Sequence, residues 1–182
     1  MEKCNANTTS CGDIGLPLDY IESAKATGVY TATCHDTDGN LKWTDTYSNL
    51  VLTAGKNNLL DNFLTGSAYT AAWYLGLVDG ATTPTYNAAD TAASHAGWTE
   101  NVAYSNAARP TPAWNSASAG SKATTATAFN INGTATIAGT FLANVSTKSG
   151  TTGVIYSAGS FTGGNKIVAS GDTLNVTYTA AV

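Results

Sequence analysis

The side chains of this sequence that could exchange protons near neutral pH are two histidines, His35 and His95. Ser94 directly precedes His95, but adjacency does not orient a serine toward an imidazole, because the members of a catalytic triad meet through the fold. The Gly-x-Ser-x-Gly pattern of a nucleophile elbow does not occur in the sequence. The histidines therefore do not indicate a hydrolase.

Carboxylates are the second group that could do chemistry, since a glycosidase needs two of them facing one cleft. The nearest candidates are Asp79, Asp90 and Glu100, which the sequence places in a turn, a loop and a strand edge. Carboxylates at such positions commonly just solvate the surface. We therefore expect no enzymatic activity, no catalytic residue and no bound cofactor.

The residue types of a metal site also occur, as Cys4, Cys11, Cys34 and His35. They could bind zinc only if the N-terminal residues folded back, and their spacing matches no compact zinc module. Cys4 and Cys11 could instead pair in an oxidising medium, while the odd cysteine count favours free or buried thiols. Residues 36–40 (DTDGN) lack the third ligand and the closing glutamate of a calcium loop, so we expect a plain hairpin tip and no metal site.

The composition limits the partners of the chain. It has 182 residues with 11% charged residues and a formal net charge of −4, whereas globular proteins carry roughly 25% charged residues. Eight Lys and Arg residues are too few and too scattered to predict a nucleic-acid partner. No apolar run approaches the roughly 20 residues that cross a bilayer, so no membrane partner is expected.

The elements that must position these residues begin with a β-hairpin, predicted by alternating apolar and polar residues at 28–34 and 41–47. Residues 53–65 carry the best helix pattern, with Thr53 as a capping residue and Gly66 as a stop. The apolar residues on one face of this helix are Leu59, Leu60, Phe63 and Leu64.

The rest of the chain predicts short strands and turns. The apolar run 69–78 indicates a central strand, and residues 80–97 indicate a long surface loop. Further strands are predicted at residues 100–105, 123–131, 134–142, 153–161 and 173–179. Asn132-Gly133, between two of them, is the strongest short hairpin signal. The pattern predicts an all-β fold, a β-sandwich or jelly roll with one short helix near residues 54–65 and an extended N-terminal arm.

The predicted domain organisation is an N-terminal arm at residues 1–26 and a β-sandwich domain at residues 27–182. The apolar residues of the arm could latch onto a neighbouring subunit or pad the arm's own domain. Two tryptophans flank the loop-rich middle and are either core residues or interface anchors. The candidate interface residues are therefore Leu16, Leu18, Tyr20, Ile21, Trp98 and Trp114.

Parts of the sequence resemble a group of tailed-bacteriophage virion proteins, in which an Asn-Leu-Val…Gly…Leu-Leu helix precedes a Trp-Tyr-x-Gly-Leu strand. The matching stretches are 49–61 (NLVLTAGKNNLLD), 69–77 (YTAAWYLGL), 94–100 (SHAGWTE), 104–109 (YSNAAR) and 170–176 (SGDTLNV). None of them is a catalytic motif. The resemblance implies a structural protein built around a small β-sandwich that is repeated on the virion, which assembles in the cytoplasm of a bacterial host.

Such proteins are capsid decoration (cement) proteins or tail-fibre, tail-adaptor and baseplate components. The short chain without shaft repeats favours decoration of the head, with the major capsid protein or other virion proteins as partners. A homo-oligomer is expected, and a trimer suits the local three-fold positions of a shell. A third hypothesis is a carbohydrate-binding β-sandwich in which Trp98 and Trp114 stack on sugars.

Overall fold

The computed structural model describes residues 25–64 and 72–182. Most of the predicted arm, with Leu16, Leu18, Tyr20 and Ile21, lies outside the described residues. The elements, in chain order, are β1 (Thr27–His35), β2 (Leu41–Ser48), β3 (Leu50–Val51), α1 (Thr53–Leu64), β4 (Tyr74–Asp79), β5 (Glu100–Asn101), β6 (Ser121–Ala123), β7 (Thr127–Asn130), β8 (Ala135–Ala143), β9 (Ile155–Ser160), β10 (Lys166–Val168) and β11 (Thr173–Ala181). No helix among the described residues is both long and apolar enough to cross a membrane.

The strands form two antiparallel sheets. The five-stranded sheet has the order β2-β1-β11-β6, and β7 also pairs with β11. The six-stranded sheet has the order β3-β9-β8-β4-β5, and β10 also pairs with β8. Each strand of the five-stranded sheet that spans nine residues alternates buried and more exposed side chains, as expected when one face covers a core. The all-β sandwich with a single short helix, predicted from the sequence, is confirmed.

The first hairpin forms as predicted, with β1 and β2 joined by residues 36–40. The Asp36 carboxylate closes the turn by accepting hydrogen bonds from the backbone N–H groups of Asp38 and Asn40, at 2.9 and 2.8 Å. Gly39 takes a φ of +83°, which a residue with a side chain rarely adopts. Residues 36–40 thus form a structural turn.

The hairpin predicted at Asn132-Gly133 was wrong. The strand before it, β7, pairs with β11 in the five-stranded sheet, whereas β8 after it pairs with β4 and β9 in the other sheet. The segment therefore crosses from one sheet to the other. The crossing lets Phe129 of β7 and Ile137 of β8 enter the same core from opposite sides, where both are fully buried. The predicted strand 123–131 is likewise divided into β6 and β7.

Residues 80–97 contain no strand, as predicted, but they do not form a free surface excursion. They contribute Ala92 to a second buried cluster, which also contains Trp98 and Phe141. The loop thereby covers the outer side of the six-stranded sheet. This cover explains why β8 is almost entirely buried from Ile137 onward, with no alternation along the strand.

The helix packs closely on β9 without burying its leucines. A Cβ atom at Gly55 would lie 2.5 Å from the carbonyl oxygen of Tyr156, so only glycine permits this approach. Leu59, Leu60 and Leu64 are 44%, 52% and 71% exposed. Most of the apolar face predicted from the spacing is therefore not covered by the sandwich.

Buried tyrosines join the two sheets through hydrogen bonds. The Tyr30 hydroxyl of β1 lies 2.7 Å from the Ser157 hydroxyl of β9, and the Tyr47 hydroxyl of β2 lies 2.8 Å from the Thr140 hydroxyl of β8. We call these two contacts the tyrosine bridges. All four side chains are at least 96% buried, so their hydroxyls must find hydrogen-bond partners within the protein.

Replacing Tyr30 with Phe is expected to destabilise the fold by about 1–3 kcal/mol, because the buried Ser157 hydroxyl would lose its hydrogen bond to Tyr30. The double variant Tyr30→Phe/Ser157→Ala should recover most of that loss, since neither polar group then remains. Urea unfolding of both variants measures the difference. Equal losses in the single and double variants would contradict a coupled bridge.

Candidate functional site

The two histidines have different surroundings. His95 stacks on Trp98 with ring centroids 4.4 Å apart, and its Nδ1 lies 3.0 Å from the Thr91 carbonyl oxygen. His35 closes β1, where it pairs with Leu41. The two histidines thus occupy separate elements, and His95 takes part in packing of the loop.

Each candidate carboxylate is used in local structure. Asp79 accepts from the Asn101 side-chain amide at 2.6 Å, and Asp90 accepts from the Trp98 indole N–H at 3.1 Å. Glu100 binds Arg109. These contacts hold the three carboxylates in different hydrogen-bonded pairs.

The Glu100–Arg109 pair is the most buried ion pair among the described residues, with both side chains 5% exposed. Arg109 donates through Nε and a terminal nitrogen to the two carboxylate oxygens, at 2.9 and 2.8 Å, and through its other nitrogen to the Val145 carbonyl. Bidentate geometry and full hydrogen bonding offset the cost of removing both charges from water. The pair ties β5, an edge strand of the six-stranded sheet, to the loop that contains Arg109 and to the loop after β8.

A second polar cluster joins the ends of β1, β2 and β11. Asp172 accepts from Lys42 Nζ at 2.5 Å and from the Ala169 backbone N–H at 2.7 Å. Burial alone would raise the pKa of Asp172, but the hydrogen bonds from Ala169 and Lys42 hold it below its ordinary value. Burial, aided by the negative charge of Asp172, raises the pKa of the Cys34 thiol to about 11.

Cys34 and His35, which were considered as zinc ligands, do not lie side by side. The Cys34 thiol lies 3.7 Å from an Asp172 carboxylate oxygen, and His35 follows on the opposite side of the strand. Cys4 and Cys11 lie outside the described residues. Among the described residues, no three His, Cys, Asp or Glu side chains converge as metal ligands.

A pocket of about 480 Å³ opens at the end of the sandwich beside α1. Its walls are formed mainly by the aromatic side chains Trp73, Trp114, Tyr156 and Tyr178. Trp73 packs edge-on against Tyr156 at 5.5 Å, and Trp114 edge-on against Tyr178 at 6.2 Å. Leu59 of α1 and Lys122 of β6 complete part of the rim. We call this the aromatic pocket.

The two tryptophans proposed as interface residues occupy different environments. Trp98 is 4% exposed and packs on Phe141 at 5.2 Å, which places it in the core and not on an accessible surface. Trp114 is only partly buried and lines the aromatic pocket. They belong to separate apolar clusters, so they do not form the shared sugar platform of the carbohydrate hypothesis.

Most of the outer side of the five-stranded sheet is uncharged. We call this part the threonine face. It excludes the end of the sheet at His35, Lys42 and Thr173, and it is defined by the other outward residues of β1, β2 and β11, which are Thr27, Val29, Thr31, Thr33, Thr44, Thr46, Ser48, Asn175, Thr177, Thr179 and Ala181. Thr31, at its centre, lies opposite Thr46 on one side and Thr177 on the other. None of the eleven side chains carries a charge.

Hydroxyl groups on this face bond to each other across the strands. The Thr31 and Thr46 hydroxyls are 3.0 Å apart, and those of Thr33 and Thr44 are 2.8 Å apart. Such cross-strand pairs stabilise the sheet and leave fewer hydroxyls that need water as a partner. The sequence contains the signal for this surface, a Thr-x-Thr motif in each of the three strands, but not the register that aligns the motifs.

Comparisons with known proteins give no match: neither a protein-family model nor a curated protein is similar to the chain.

We expect the hydrogen bonds of Asp172 to stabilise the fold at neutral pH and to lose this effect in acid. Because the folded state lowers the pKa of Asp172, its contribution is present above the ordinary carboxyl value of about 4 and disappears as the pH falls through the folded value. Asp172→Asn should therefore lower the free energy of unfolding at pH 7 by about 1–3 kcal/mol and flatten its decline below pH 4.

Urea unfolding at pH 7, 5, 4 and 3 measures this dependence. Asp38→Asn, at the exposed tip of the first hairpin, is the control and should change stability by less than about 0.5 kcal/mol. A wild-type acid dependence that persists unchanged in Asp172→Asn would contradict the assignment.

Proposed function

We propose that this chain is a structural protein of a tailed-bacteriophage virion, most simply a decoration (cement) protein that binds and stabilises the assembled head. The threonine face is the observation that carries this proposal. The cores of protein–protein interfaces are depleted of charged residues, and the eleven side chains of the threonine face carry no charge, since Lys42 lies beyond it near the start of β2. Its partner is then the major capsid protein or another virion protein.

The hydroxyl pairs of the face support contact with protein. A charged side chain is costly to remove from water, and even a neutral hydroxyl is costly when it loses its hydrogen bond. Thr31 with Thr46, and Thr33 with Thr44, keep a partner within the sheet when the surface is covered. Covering the threonine face therefore has a smaller desolvation cost than covering a typical charged surface.

The dimensions of the face favour binding as an oligomer. Strands of nine residues are about 30 Å long, and three adjacent strands cover about 400 Å² of flat surface. A stable interface buries about 800 Å² on each partner, so one face alone would bind weakly. A homo-oligomer such as a trimer presents several faces at once and gains affinity from their combined attachment.

Stabilisation of the head follows from selective binding. A protein that binds assembled capsomers and not free ones shifts the equilibrium toward the closed shell. The described residues need no catalytic group for this role. The same surface could serve a tail-fibre, tail-adaptor or baseplate component, so the position on the particle is the decisive measurement.

Electron microscopy of intact virions with a label at Val182, which is 70% exposed, tests the position directly. We expect the label to surround the head. A label found only at the tail would overturn the head assignment in favour of a tail component. Particles without any label, purified from cells that produce the tagged chain, would overturn the virion assignment itself.

Placing a charge at the centre of the threonine face should weaken attachment. Thr31→Lys, between Thr46 and Thr177, is expected to reduce co-sedimentation with heads at least about tenfold, because an unpaired ammonium group would be buried on contact. Thr82→Lys, in the exposed loop after β4, is the matched control and should bind normally. Equal binding by the two variants, with unchanged circular dichroism, would remove the threonine face as the contact surface.

A further inference from the structure

The aromatic pocket lies beside an unusually apolar part of the surface. Leu59 lines the pocket, and Leu60 and Leu64 of the same helix are 52% and 71% exposed. Clusters of large exposed apolar side chains commonly mark contact sites. The pocket has few polar groups, which suits an apolar peptide better than a ligand rich in hydroxyl groups.

The chain enters the sandwich at the same end as the pocket. Thr27 and Gly28 of β1 pair with Ala181 and Ala180 of β11, and Ala180 lines the pocket. Ala26 packs against the same core cluster as Trp73 and Trp114. The start of β1 therefore lies at the same end of the five-stranded sheet as the aromatic pocket.

The sequence just before this point has the pattern of an apolar peptide that binds in extended form. Leu16, Leu18 and Tyr20 recur with period two, so in an extended segment they share one side. Pro17 biases Leu16 toward the extended conformation. We call residues 16–21 the arm segment; it ends with Ile21, four residues before Lys25, a span of at most about 14 Å.

The charges at the two sites are complementary. Glu22 directly follows the arm segment and continues the period of Leu18 and Tyr20, so in an extended chain it lies on their side, while Lys122 stands on the rim of the pocket. Lys122 Nζ donates to the Asn115 carbonyl at 2.9 Å and has no carboxylate partner among the described residues. An acidic residue beside the apolar anchors would place opposite charges together at the rim.

We propose that the aromatic pocket is the docking site of the arm segment of the same chain. The apolar side chains enter between Trp73 and Trp114, and an acidic side chain pairs with Lys122. Attachment within one chain is favoured because the short connection to Lys25 gives the segment a high local concentration at the pocket. This inference does not depend on the proposed virion function.

Zero-length carbodiimide crosslinking of the native full-length protein tests the proposal. We expect an amide between Lys122 and Glu22, identified by mass spectrometry. Lys42 is the internal control. It is paired with Asp172 at the opposite end of the same sheet, so it should form no crosslink to the arm segment. Mixing chains of two isotopic compositions shows whether the bond forms within one chain or between two.

A variant of the full-length chain separates docking from chance proximity. Leu18→Ser/Tyr20→Ser removes two anchors and should reduce the Lys122 crosslink at least about fivefold. Thr8→Ser/Thr9→Ser is the matched control and should leave the crosslink unchanged. Circular dichroism of both variants shows that the sandwich remains folded.

Three results would overturn the proposal. Docking of the arm segment would be excluded if Lys122 formed no crosslink to the arm carboxylates. It would also be excluded if both variants formed the crosslink equally. A crosslink that joins isotopically different chains would show that the pocket receives the arm of a neighbouring copy instead. A crosslink within one chain that is lost only in the Leu18→Ser/Tyr20→Ser variant would support it.

Discussion

The two sheets of this protein are held in register by polar contacts inside an apolar core. Tyr30 and Tyr47 cross the interior with their rings and end on Ser157 and Thr140 of the facing sheet. Apolar packing alone is non-directional. In a different alignment of the two sheets, the buried hydroxyls would lose these hydrogen bonds, and that loss destabilises the alignment. The tyrosine bridges therefore favour one relative position of the sheets, and the aromatic pocket depends on that position because residues of both sheets line it.

The sequence was a good guide to strands with one solvated face. The alternation in β1, β2 and β11 follows directly from burial of every second residue. It was a poor guide to pairing, as Asn132-Gly133 shows. A local turn signal competes there with the requirement that β7 and β8 supply side chains to the core from opposite sheets. Short elements such as β3 and β10 carry too few residues to show any period.

The candidate sites were less predictable because they depend on distant pairing. Thr31 and Thr177 are neighbours on the threonine face although 146 positions separate them, and only the β1–β11 register brings them together. The sequence gives the same two interpretations, core or interface, for Trp98 and for Trp114. In the structure, Trp98 is buried in the cluster where a loop folds over the six-stranded sheet, and Trp114 is not part of it. The tendency of tryptophan to serve either as core or as contact residue cannot distinguish such cases without the tertiary structure.

The absence of charge on the threonine face has a consequence for the conditions under which it would work. Contacts between charged surfaces weaken as the ionic strength rises, because counterions screen them within about 10 Å at 0.1 M salt. A contact made by hydroxyl and methyl groups has no such dependence, and salts that strengthen apolar burial would even favour it. Attachment through this face would thus tolerate dilute fresh water and concentrated brine alike.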